Sequence, residues 1–348
     1  MRNKLSLKLW DFSGIALANL VVLLMMVVYL LPISYMAVTA VKQEQQFGDP
    51  NAPIWPSRHV QMDYEGESYS LYTVPLADGE RPLLLITPRR SASQFIDPVT
   101  PESGLIEWQG NWRQLQPVYE SFFTFDAFTS WFERLDLRQV GYNTLIVVGL
   151  TEIGVVITSI LVAYGFARFP IPYGNTLFLI LIGTIILPEK ITLVPTYFAF
   201  INVLDWQGTW WPLVAPYFFG SAVLIFLLRQ NFRSIPRELE EAAMIDGAGP
   251  LRILVSVILP MAWPTVLTVA LLHFFFIWNE TRLASLYLLS APDKHPLVSG
   301  LVARGGTFGV GPNNVQARAL ITMVVPTAVL FLSQRFFMRG VQITGLEK

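Results

Sequence analysis

The sequence contains no cysteine among its 348 residues, and charged residues are scarce. Without cysteine the chain has no disulfide, no thiolate zinc site and no cysteine nucleophile, so any part outside the cytoplasm depends on its own core. Charged residues make up 14% of the chain, whereas soluble proteins average about 25%. The net charge of −1 lacks the basic excess of nucleic-acid-binding proteins. Because 53% of the residues are hydrophobic, the composition indicates a bundle of membrane helices.

Long stretches with few charged residues predict six transmembrane helices. A helix needs about 20 apolar residues to cross a bilayer, and six windows near that size contain at most two charged residues each. The windows are residues 12–41, 140–167, 169–204, 206–228, 253–279 and 319–334. The first window is about twice as long as the hydrophobic part of a cleavable signal peptide, so we expect an uncleaved anchor.

Basic residues alternate between the two sides of the predicted spans. They lie in the N-terminal tail, at Arg168, in residues 229–252 and in the C-terminal tail. Cytoplasmic loops carry an excess of lysine and arginine, so we expect both termini and the 229–252 loop to be cytoplasmic. Residues 42–138 then lie outside, and their eight basic against fourteen acidic residues suit that side.

The external segment, residues 42–138, is too long for an ordinary structureless loop. The run YSLYTVPLADGERPLLLITPRR predicts two strands around a turn at Asp78 and Gly79, and GLIEWQGNW predicts a third. We expect a small β-rich part at about residues 57–117, followed by an amphipathic helix at residues 123–135. Two roles stay open, a solvated insertion and a docking surface for a partner outside the membrane.

The predicted cytoplasmic loop carries the pattern of a short helix. Proline is tolerated in a first helical turn, and acidic residues follow Pro236 where the helix dipole favours them. Leu239, Ala242 and Ala243 recur at helical spacing and form a face of small residues. Gly247 predicts the end of the helix. From these residues alone, partner docking and a helix lying at the membrane interface stay equal alternatives.

The spacing in this loop resembles the EAA loop of bacterial ABC importer permeases. The triplet Glu241-Ala242-Ala243 is followed after three residues by Gly247 and after nine more by VILP, which ends at Pro260. By this resemblance, the helix at residues 236–247 is the coupling helix that sits in a cleft of a separate ATP-hydrolysing subunit. The residues expected to couple to that ATPase are Glu241, Ala242, Ala243, Asp246, Gly247, Ala248 and Pro260.

Further strings are similar to the carbohydrate branch of that family, the subunits of the MalG type. They are NTLIV, LVAYGFARF, ILPEKITLVPTYF, FLLRQNFRSIPRELEEAAMIDGA, WNE and QRFFMRGVQITGLEK. The resemblance covers roughly residues 1–56 and 118–348 and leaves the β-rich insertion out. Thr281 and Arg282, directly after WNE, depart from the apolar residues expected there.

The resemblance implies an all-α polytopic membrane protein with six transmembrane helices, like type I ABC importers, and a small β-rich extracytoplasmic insertion. The expected parts are a cytoplasmic tail with the first span at residues 1–41, the insertion at residues 42–138, and the other five spans with the coupling loop at residues 139–348. The implied function is that of a permease subunit, in a bacterial inner membrane, of an ATP-driven importer for a sugar or oligosaccharide.

The partners implied are a second homologous permease, an ATPase dimer, an extracytoplasmic solute-binding protein and membrane lipid, with no nucleic acid. The sequence has no phosphate-binding loop motif, so we expect no enzymatic activity and no cofactor in this chain, with ATP bound by the partner. The alternative is a membrane-embedded enzyme or an assembly factor with an external β domain. A secondary transporter is disfavoured because it needs no docking helix, and no internal repeat is evident.

Polar residues within the predicted spans are candidates for the translocation path. The first candidates are the three residues of the WNE motif, Asn279, Glu280 and Trp278. Glu189 and Lys190 are adjacent, so they share no helix face, and they either line the path or make structural pairs. They follow Pro188, so we expect them at a break or near an interface.

Two further ionisable residues lie inside predicted spans. Glu152 needs a partner within the membrane, and we expect structural pairing. His273 lies on an apolar stretch and is expected to be a satisfied core histidine. The sequence shows no metal-ligand cluster and no nucleophile–base spacing, so no catalytic or metal site is predicted.

Overall fold

The computed structural model describes residues 4–76, 79–305 and 311–344. Three residues used in the predictions lie outside this part of the chain. They are the turn residue Asp78 and two basic residues of the tails, Arg2 and Lys348. The chain divides into two compact units. One comprises Met1–Arg134 with Phe308–Ile321, and the other comprises Leu135–Thr307 with Thr322–Lys348.

The first unit begins with a long apolar helix and continues into a β-rich part. Helix α1 (Lys4–Ala40) has exposed apolar side chains along most of its length, as a lipid-facing helix requires. The strands described after it are β1 (Ser57–His59), β2 (Gln61–Tyr64), β3 (Glu67–Leu76), β4 (Gly79–Thr87), β5 (Ala92–Ile96), β6 (Ile106–Gln109), β7 (Gln116–Pro117) and β8 (Tyr119–Ser121). The small β-rich part predicted from the sequence is therefore confirmed.

All the strand pairs are antiparallel. One sheet has the order β2-β3-β4-β5-β6 with β7 on β3, and β1 pairs with β8. The predicted hairpin is β3 and β4, and Leu76 pairs with Gly79, so Gly79 belongs to the strand and not to the turn. The third predicted strand is β6. Alternating residues of β3, β4 and β5 build the core, where Val74, Leu83 and Phe95 are fully buried.

The predicted amphipathic helix is α2 (Asp126–Arg134). The Thr124 hydroxyl accepts a hydrogen bond of 3.1 Å from the Asp126 backbone N–H and so caps its start. Ala127 and Trp131 are buried, whereas Phe132 on the other face is exposed. The helix therefore has the apolar and exposed faces that the sequence predicts.

The second unit is helical. Its helices are α3 (Leu137–Arg168), α4 (Gly174–Ile186), α5 (Glu189–Phe198), α6 (Trp211–Val214), α7 (Ala222–Ser234), α8 (Glu238–Ile245), α9 (Pro250–Ile253), α10 (Leu259–Trp278), α11 (Arg282–Tyr287), α12 (Leu297–Gly305) and the long final helix α13 (Pro312–Thr344), which begins in the first unit. A π-helical turn, Leu254–Ile258, joins α9 to α10. Pro260 follows this turn as the second residue of α10, where its missing N–H is tolerated.

Five helical segments among the described residues are long and apolar enough to cross a membrane. They are Gly14–Ala40, Leu137–Arg168, Trp211–Ser234, Pro250–Trp278 and Pro312–Phe336. A sixth span is reached by counting Gly174–Ile186 and Lys190–Val203 as one, although the two are bent by 97°. The window at residues 169–204 therefore holds two helices, and the break falls directly before Glu189 and Lys190, the charged pair that interrupts the window in the sequence. Pro188 explains the break, because the residue before a proline is disfavoured in the helical region.

The fourth predicted span also differs from a single helix. The prediction began at residue 206, but the helical segment runs from Trp211 to Ser234 and is interrupted before α7. Gly220 lies at the interruption with φ of +81°, a left-handed conformation that a helix cannot continue through. The sequence pattern found the apolar run but not this internal turn.

Helix α3 forms the centre of the second unit. It packs against α7 and α10, and their shared core contains the buried residues Val155, Leu228, Phe232 and Val269. Gly154 of α3 allows the 3₁₀ turn before α7 to approach closely, since a Cβ atom there would lie 2.8 Å from the Phe218 ring. The C-terminal end of α3, at Arg168, lies beside the loop between α7 and α10.

Candidate functional site

A helix lies where the sequence analysis expected the coupling helix, and it is shorter than expected. Helix α8 spans Glu238–Ile245, eight residues, whereas the sequence analysis expected a helix at residues 236–247. The backbone N–H groups of Glu240 and Glu241 donate to the Arg237 carbonyl at 2.9 and 3.0 Å, so the first turn closes on Arg237. The acidic residues predicted for the first turn occupy it, where the helix dipole stabilises them.

Gly247 ends α8 as predicted. Its φ is +78°, the left-handed conformation that glycine adopts without a Cβ penalty. The Gly247 N–H donates to the Met244 carbonyl at 3.0 Å, and the Ala248 N–H donates to the Ala243 carbonyl at 2.9 Å. This pair of bonds is a Schellman motif, which satisfies the free carbonyls at the end of a helix.

The predicted face of small residues is divided between two sides of α8. Ala242 is exposed, and Leu239 and Ile245 are exposed by 42% and 87%. Ala243 is half-buried and packs, with Ala248, against the core of α3, α7 and α10. A helix turns about 100° per residue, which separates adjacent residues widely around its axis. Ala242 therefore faces outward, whereas Ala243 contacts its own chain.

Four of the seven predicted coupling residues are exposed on α8 or in the turn that follows it, namely Glu241, Ala242, Asp246 and Gly247. Pro260 does not belong to this surface, because it lies in α10 beyond the π-helical turn. The residues of the EAA spacing thus lie in two separate places, the exposed side of α8 and the start of the next span.

Glu240, which the sequence analysis did not select, forms a buried ion pair with Arg168. The Arg168 Nε atom lies 2.5 Å from Glu240 Oε1, and both side chains are 6% exposed. Arg168 Nη2 also donates to the Ile235 carbonyl at 2.8 Å, in the turn that leads into α8. Burial raises the pKa of the Glu240 carboxyl, although Arg168 and Arg237 act against that shift.

Further polar contacts connect the end of α3 and the same loop. The Tyr164 hydroxyl donates to the Pro250 carbonyl at 3.2 Å, directly after the turn that follows α8. Arg229 Nε donates to the Phe166 carbonyl at 3.3 Å, and its guanidinium lies 3.9 Å from the centre of the Phe178 ring. The entry, the middle and the exit of the α8 loop are therefore all held to the end of α3.

The three WNE residues have different surroundings. Trp278 is buried, and its indole N–H donates to the Thr322 carbonyl at 3.0 Å, so it packs inside the unit. Glu280 accepts a hydrogen bond of 2.8 Å from the Leu283 N–H and caps α11. Asn279 is exposed, with its amide donating to the Phe275 carbonyl at 2.8 Å. Of the three, Asn279 is the most exposed.

Glu189 and Lys190 begin α5, directly after the break at Pro188. Lys190 is exposed, as expected for a residue beside a helix break or a membrane interface. The side chain of Glu189 lies outside the part of the chain that the structure describes. The break therefore explains how two adjacent charges are accommodated within the apolar window at residues 169–204.

Glu152 and His273 are partners of each other within the bundle. The His273 Nδ1 atom lies 2.8 Å from Glu152 Oε2, and the two side chains are 5% and 23% exposed. The Tyr217 ring meets the imidazole edge-on at 5.0 Å between ring centres. The partner expected for Glu152 and the core position expected for His273 are confirmed. His273 is not fully satisfied, however, because its Nε2 atom is buried without a hydrogen-bond partner among the described residues. Within the described ranges, no group of three or more His, Asp or Glu side chains is arranged to hold a metal ion.

Comparison with known proteins identifies related permeases. The chain is 32% identical over 206 residues to a probable ABC transporter permease protein of Pyrococcus horikoshii, an alignment that covers 59% of this chain and 74% of that protein. It is 29% identical over 226 residues to the alpha-glucoside transport system permease protein AglG of Rhizobium meliloti, covering 63% of this chain and 59% of that protein.

The fold is similar to a chain in the crystal structure of a bacterial ABC transporter involved in the import of the acidic polysaccharide alginate. The TM-score is 0.62 at 18% identity, with 94% of this chain and 97% of that chain covered. At this identity the likeness concerns the fold alone. One family model matches residues 122–343, which contain α8 and the helices on both sides of it. The chain therefore belongs to the family described as binding-protein-dependent transport system inner membrane component.

Proposed function

We propose that this permease subunit moves a sugar or oligosaccharide through an ATP-driven importer and that α8 is the helix on which the ATPase docks. The observation that carries the docking role is the outward side of α8, which exposes apolar residues although it lies in a polar loop. Leu239, Met244 and Ile245 are exposed by 42%, 57% and 87%. Large exposed apolar side chains on a polar surface are typical of a surface that another protein covers.

The charges around α8 support a cytoplasmic position. Arg233, Arg237 and Arg252 flank the helix and are exposed. Because short cytoplasmic loops carry an excess of basic residues, these arginines support a cytoplasmic position for the loop and for both termini. An ATPase in the cytoplasm then has direct access to α8. ATP binds to that subunit, and this chain needs no cofactor of its own.

The proposed assembly contains this chain, a second homologous permease, two copies of the ATPase and an extracytoplasmic solute-binding protein, embedded in membrane lipid. The family description supports the binding protein, since it names binding-protein-dependent transport. The relative named for alpha-glucoside transport supports a carbohydrate as the solute. Asn279, exposed at the end of α10, is the polar side chain best placed to contact that solute.

The proposed mechanism is a rigid-body exchange between two states of the membrane helices. Closure of the ATPase dimer on ATP moves α8, and the helices attached to α8 move with it. ATP changes the populations of the two states only to the extent that it binds one state more tightly than the other. Hydrolysis then restores the original populations. The exposed face of α8 must therefore bind the ATPase in both states.

A substitution on each side of α8 tests the docking role. Ala242→Arg places a long charged side chain on the outward face, so we expect the ATPase to be lost while the folded permease accumulates normally. Ala243→Arg points into the chain's own core and should lower the yield of folded permease as well, since overpacking costs about 1–3 kcal/mol. The measurement is the ATPase content of complexes purified by a tag on this chain, with Ser68→Arg in the β-rich part as the control.

Full ATPase content in the Ala242→Arg complex would contradict the docking role. The solute is tested separately, by identifying the small molecule that co-purifies with the binding protein. We expect a carbohydrate there, and a solute of another class would overturn that part of the proposal.

A further inference from the structure

A buried ion pair connects α8 to the end of α3. Arg168 is the last residue of α3 and contacts Glu240 at 2.5 Å and the Ile235 carbonyl at 2.8 Å. The neighbouring acid Glu241 is exposed, whereas Glu240 is buried. Two adjacent acids of one helix therefore point in different directions, and only Glu241 is free to face another protein.

A helix as short as α8 cannot set its own orientation. Helices shorter than about 12 residues are marginal on their own, so tertiary contacts must fix α8. The face that packs on the chain offers little apolar area, because Ala243 is the residue of α8 that packs against the core. The ion pair between Arg168 and Glu240 supplies an electrostatic contact on that same face, although the Arg168 Nε and Glu240 Oε1 atoms are not aligned as a hydrogen bond.

The backbone connects α8 to α7 and α9, whereas the ion pair connects α8 to α3. Along the chain, α8 continues backward into α7 and forward into α9 and α10. Side chains connect the loop to α3. Arg168 contacts Glu240 of α8, and the Tyr164 hydroxyl donates to the Pro250 carbonyl at the start of α9. Helix α3 is the central helix of the unit, and it carries Glu152 near its middle.

We propose that Arg168 and Glu240 are positioning residues that transmit the movement of α8 to α3. This inference rests on the proposed docking role of α8. When the ATPase moves α8, the pair makes α3 follow as one body with α7 and α10. Without the pair, α8 still binds the ATPase through its outward face, but its movement is absorbed in the turns at residues 235–237 and 246–249.

The chemistry of the pair requires both partners. Glu240→Gln keeps the size of the side chain and removes its charge. Arg168→Lys keeps the charge but cannot reproduce the fork that reaches Glu240 and Ile235 together, because lysine has a single ammonium group. Each single change should therefore weaken transmission, and the exchanged pair Arg168→Glu with Glu240→Arg should restore part of it.

The test measures movement of α3 directly and needs no knowledge of the solute. In this cysteine-free chain, Leu137→Cys places one thiol at the far end of α3, at a position that is half exposed. The complex is reconstituted in liposomes, and the rate of labelling by an impermeant maleimide is measured with and without MgATP and vanadate. ATPase content and hydrolysis rate are measured on the same samples.

With the native pair, we expect MgATP and vanadate to change the labelling rate about fivefold or more, the range of ordinary coupling between two sites. Glu240→Gln and Arg168→Lys should abolish most of this change while keeping the ATPase bound and hydrolysing. The matched control is Glu102→Gln, an exposed acid of the β-rich part and outside α8, which should behave like the native chain. Partial recovery in the exchanged pair adds support that a structural role alone would not give.

An unchanged ATP response in Glu240→Gln would overturn the inference, as would a native complex in which ATP leaves the labelling of Leu137→Cys unaltered. If Arg168→Lys fails to accumulate in the membrane, Glu240→Gln decides alone. The proposed docking role fails separately, when Ala242→Arg retains the ATPase. The two claims are therefore distinguished by different variants and different measurements.

Discussion

The Nδ1 atom of His273 lies 2.8 Å from the Oε2 atom of Glu152, joining α10 to α3 inside the helical unit. The other side-chain atoms of this pair, His273 Nε2 and Glu152 Oε1, are buried without a hydrogen-bond partner among the described residues. A buried polar pair with unsatisfied atoms adds little to the free energy of unfolding. Removing one partner costs more, because it leaves the other partner buried and unpaired. The contact between the two residues is therefore the feature to test.

We predict that Glu152→Ala and His273→Ala each destabilise the permease, by about 1–3 kcal/mol, because each leaves one buried polar partner unpaired. The double variant should lose less than the sum of the two, since it removes both partners together. Thermal unfolding of the purified permease, followed by tryptophan fluorescence, measures all three. Leu272→Ala, beside His273 but exposed, is the control. Additive losses would show that the two side chains do not interact.

The second prediction concerns the turn after α8. Gly247→Ala should destabilise the end of the helix by about 1–2 kcal/mol, because alanine pays the left-handed penalty that glycine avoids. Gly249→Ala is the matched control, since Gly249 has φ of −76° and an added Cβ would meet no atom of the described residues within 4 Å. We expect Gly247→Ala to lower ATP-driven uptake and Gly249→Ala to leave it near the native rate. Equal uptake by both variants would show that the left-handed turn is unimportant.

The third prediction separates the residues of the WNE motif. Asn279→Ala removes an exposed amide whose described contact is the carbonyl of Phe275 in its own helix, so we expect transport to fall more than assembly of the complex. Trp278→Phe loses the hydrogen bond to Thr322 inside the unit and should lower stability instead. Uptake and subunit content are measured for both. Parallel losses of transport and assembly in Asn279→Ala would identify Asn279 as structural.

The fourth prediction concerns topology. Single cysteines introduced at Ser68 and Ser234 occupy exposed positions, one in β3 and one at the end of α7. The distribution of basic residues predicts that an impermeant thiol reagent added to intact cells labels position 68 and not position 234. The reverse pattern would contradict the proposed orientation, and with it the cytoplasmic position of α8.

Local patterns in the sequence predicted a large part of the fold. Apolar windows without charges located the spans, because the bilayer demands a continuous apolar surface about 20 residues long. The acids after Pro236 and the glycine at Gly247 located α8, because helix ends leave backbone groups that only certain residues satisfy. Alternating residues around Asp78 and Gly79 located the β3–β4 hairpin in the same way.

What the sequence did not predict depends on contacts between distant segments or on breaks inside apolar runs. Glu152 and His273 are 121 positions apart, and no local pattern pairs them. Arg168 and Glu240 belong to different helices, so the sequence does not show that Glu240 is buried and paired while its neighbour Glu241 is exposed. Pro188 indicated a break beside Glu189 and Lys190, but the 97° angle between the two helices is not encoded in any local pattern.

The central claim, that the outward face of α8 docks the ATPase, is tested most directly by a cross-link from Ile245. This side chain is 87% exposed, and the native chain has no cysteine, so Ile245→Cys carries the only thiol of this subunit. A short photoactivatable cross-linker attached to that thiol in the assembled complex should capture the ATPase subunit, identified by mass spectrometry. The same cross-linker on Ser68→Cys should not capture it. Failure of Ile245→Cys to capture the ATPase, in a complex shown to contain it, would contradict the account.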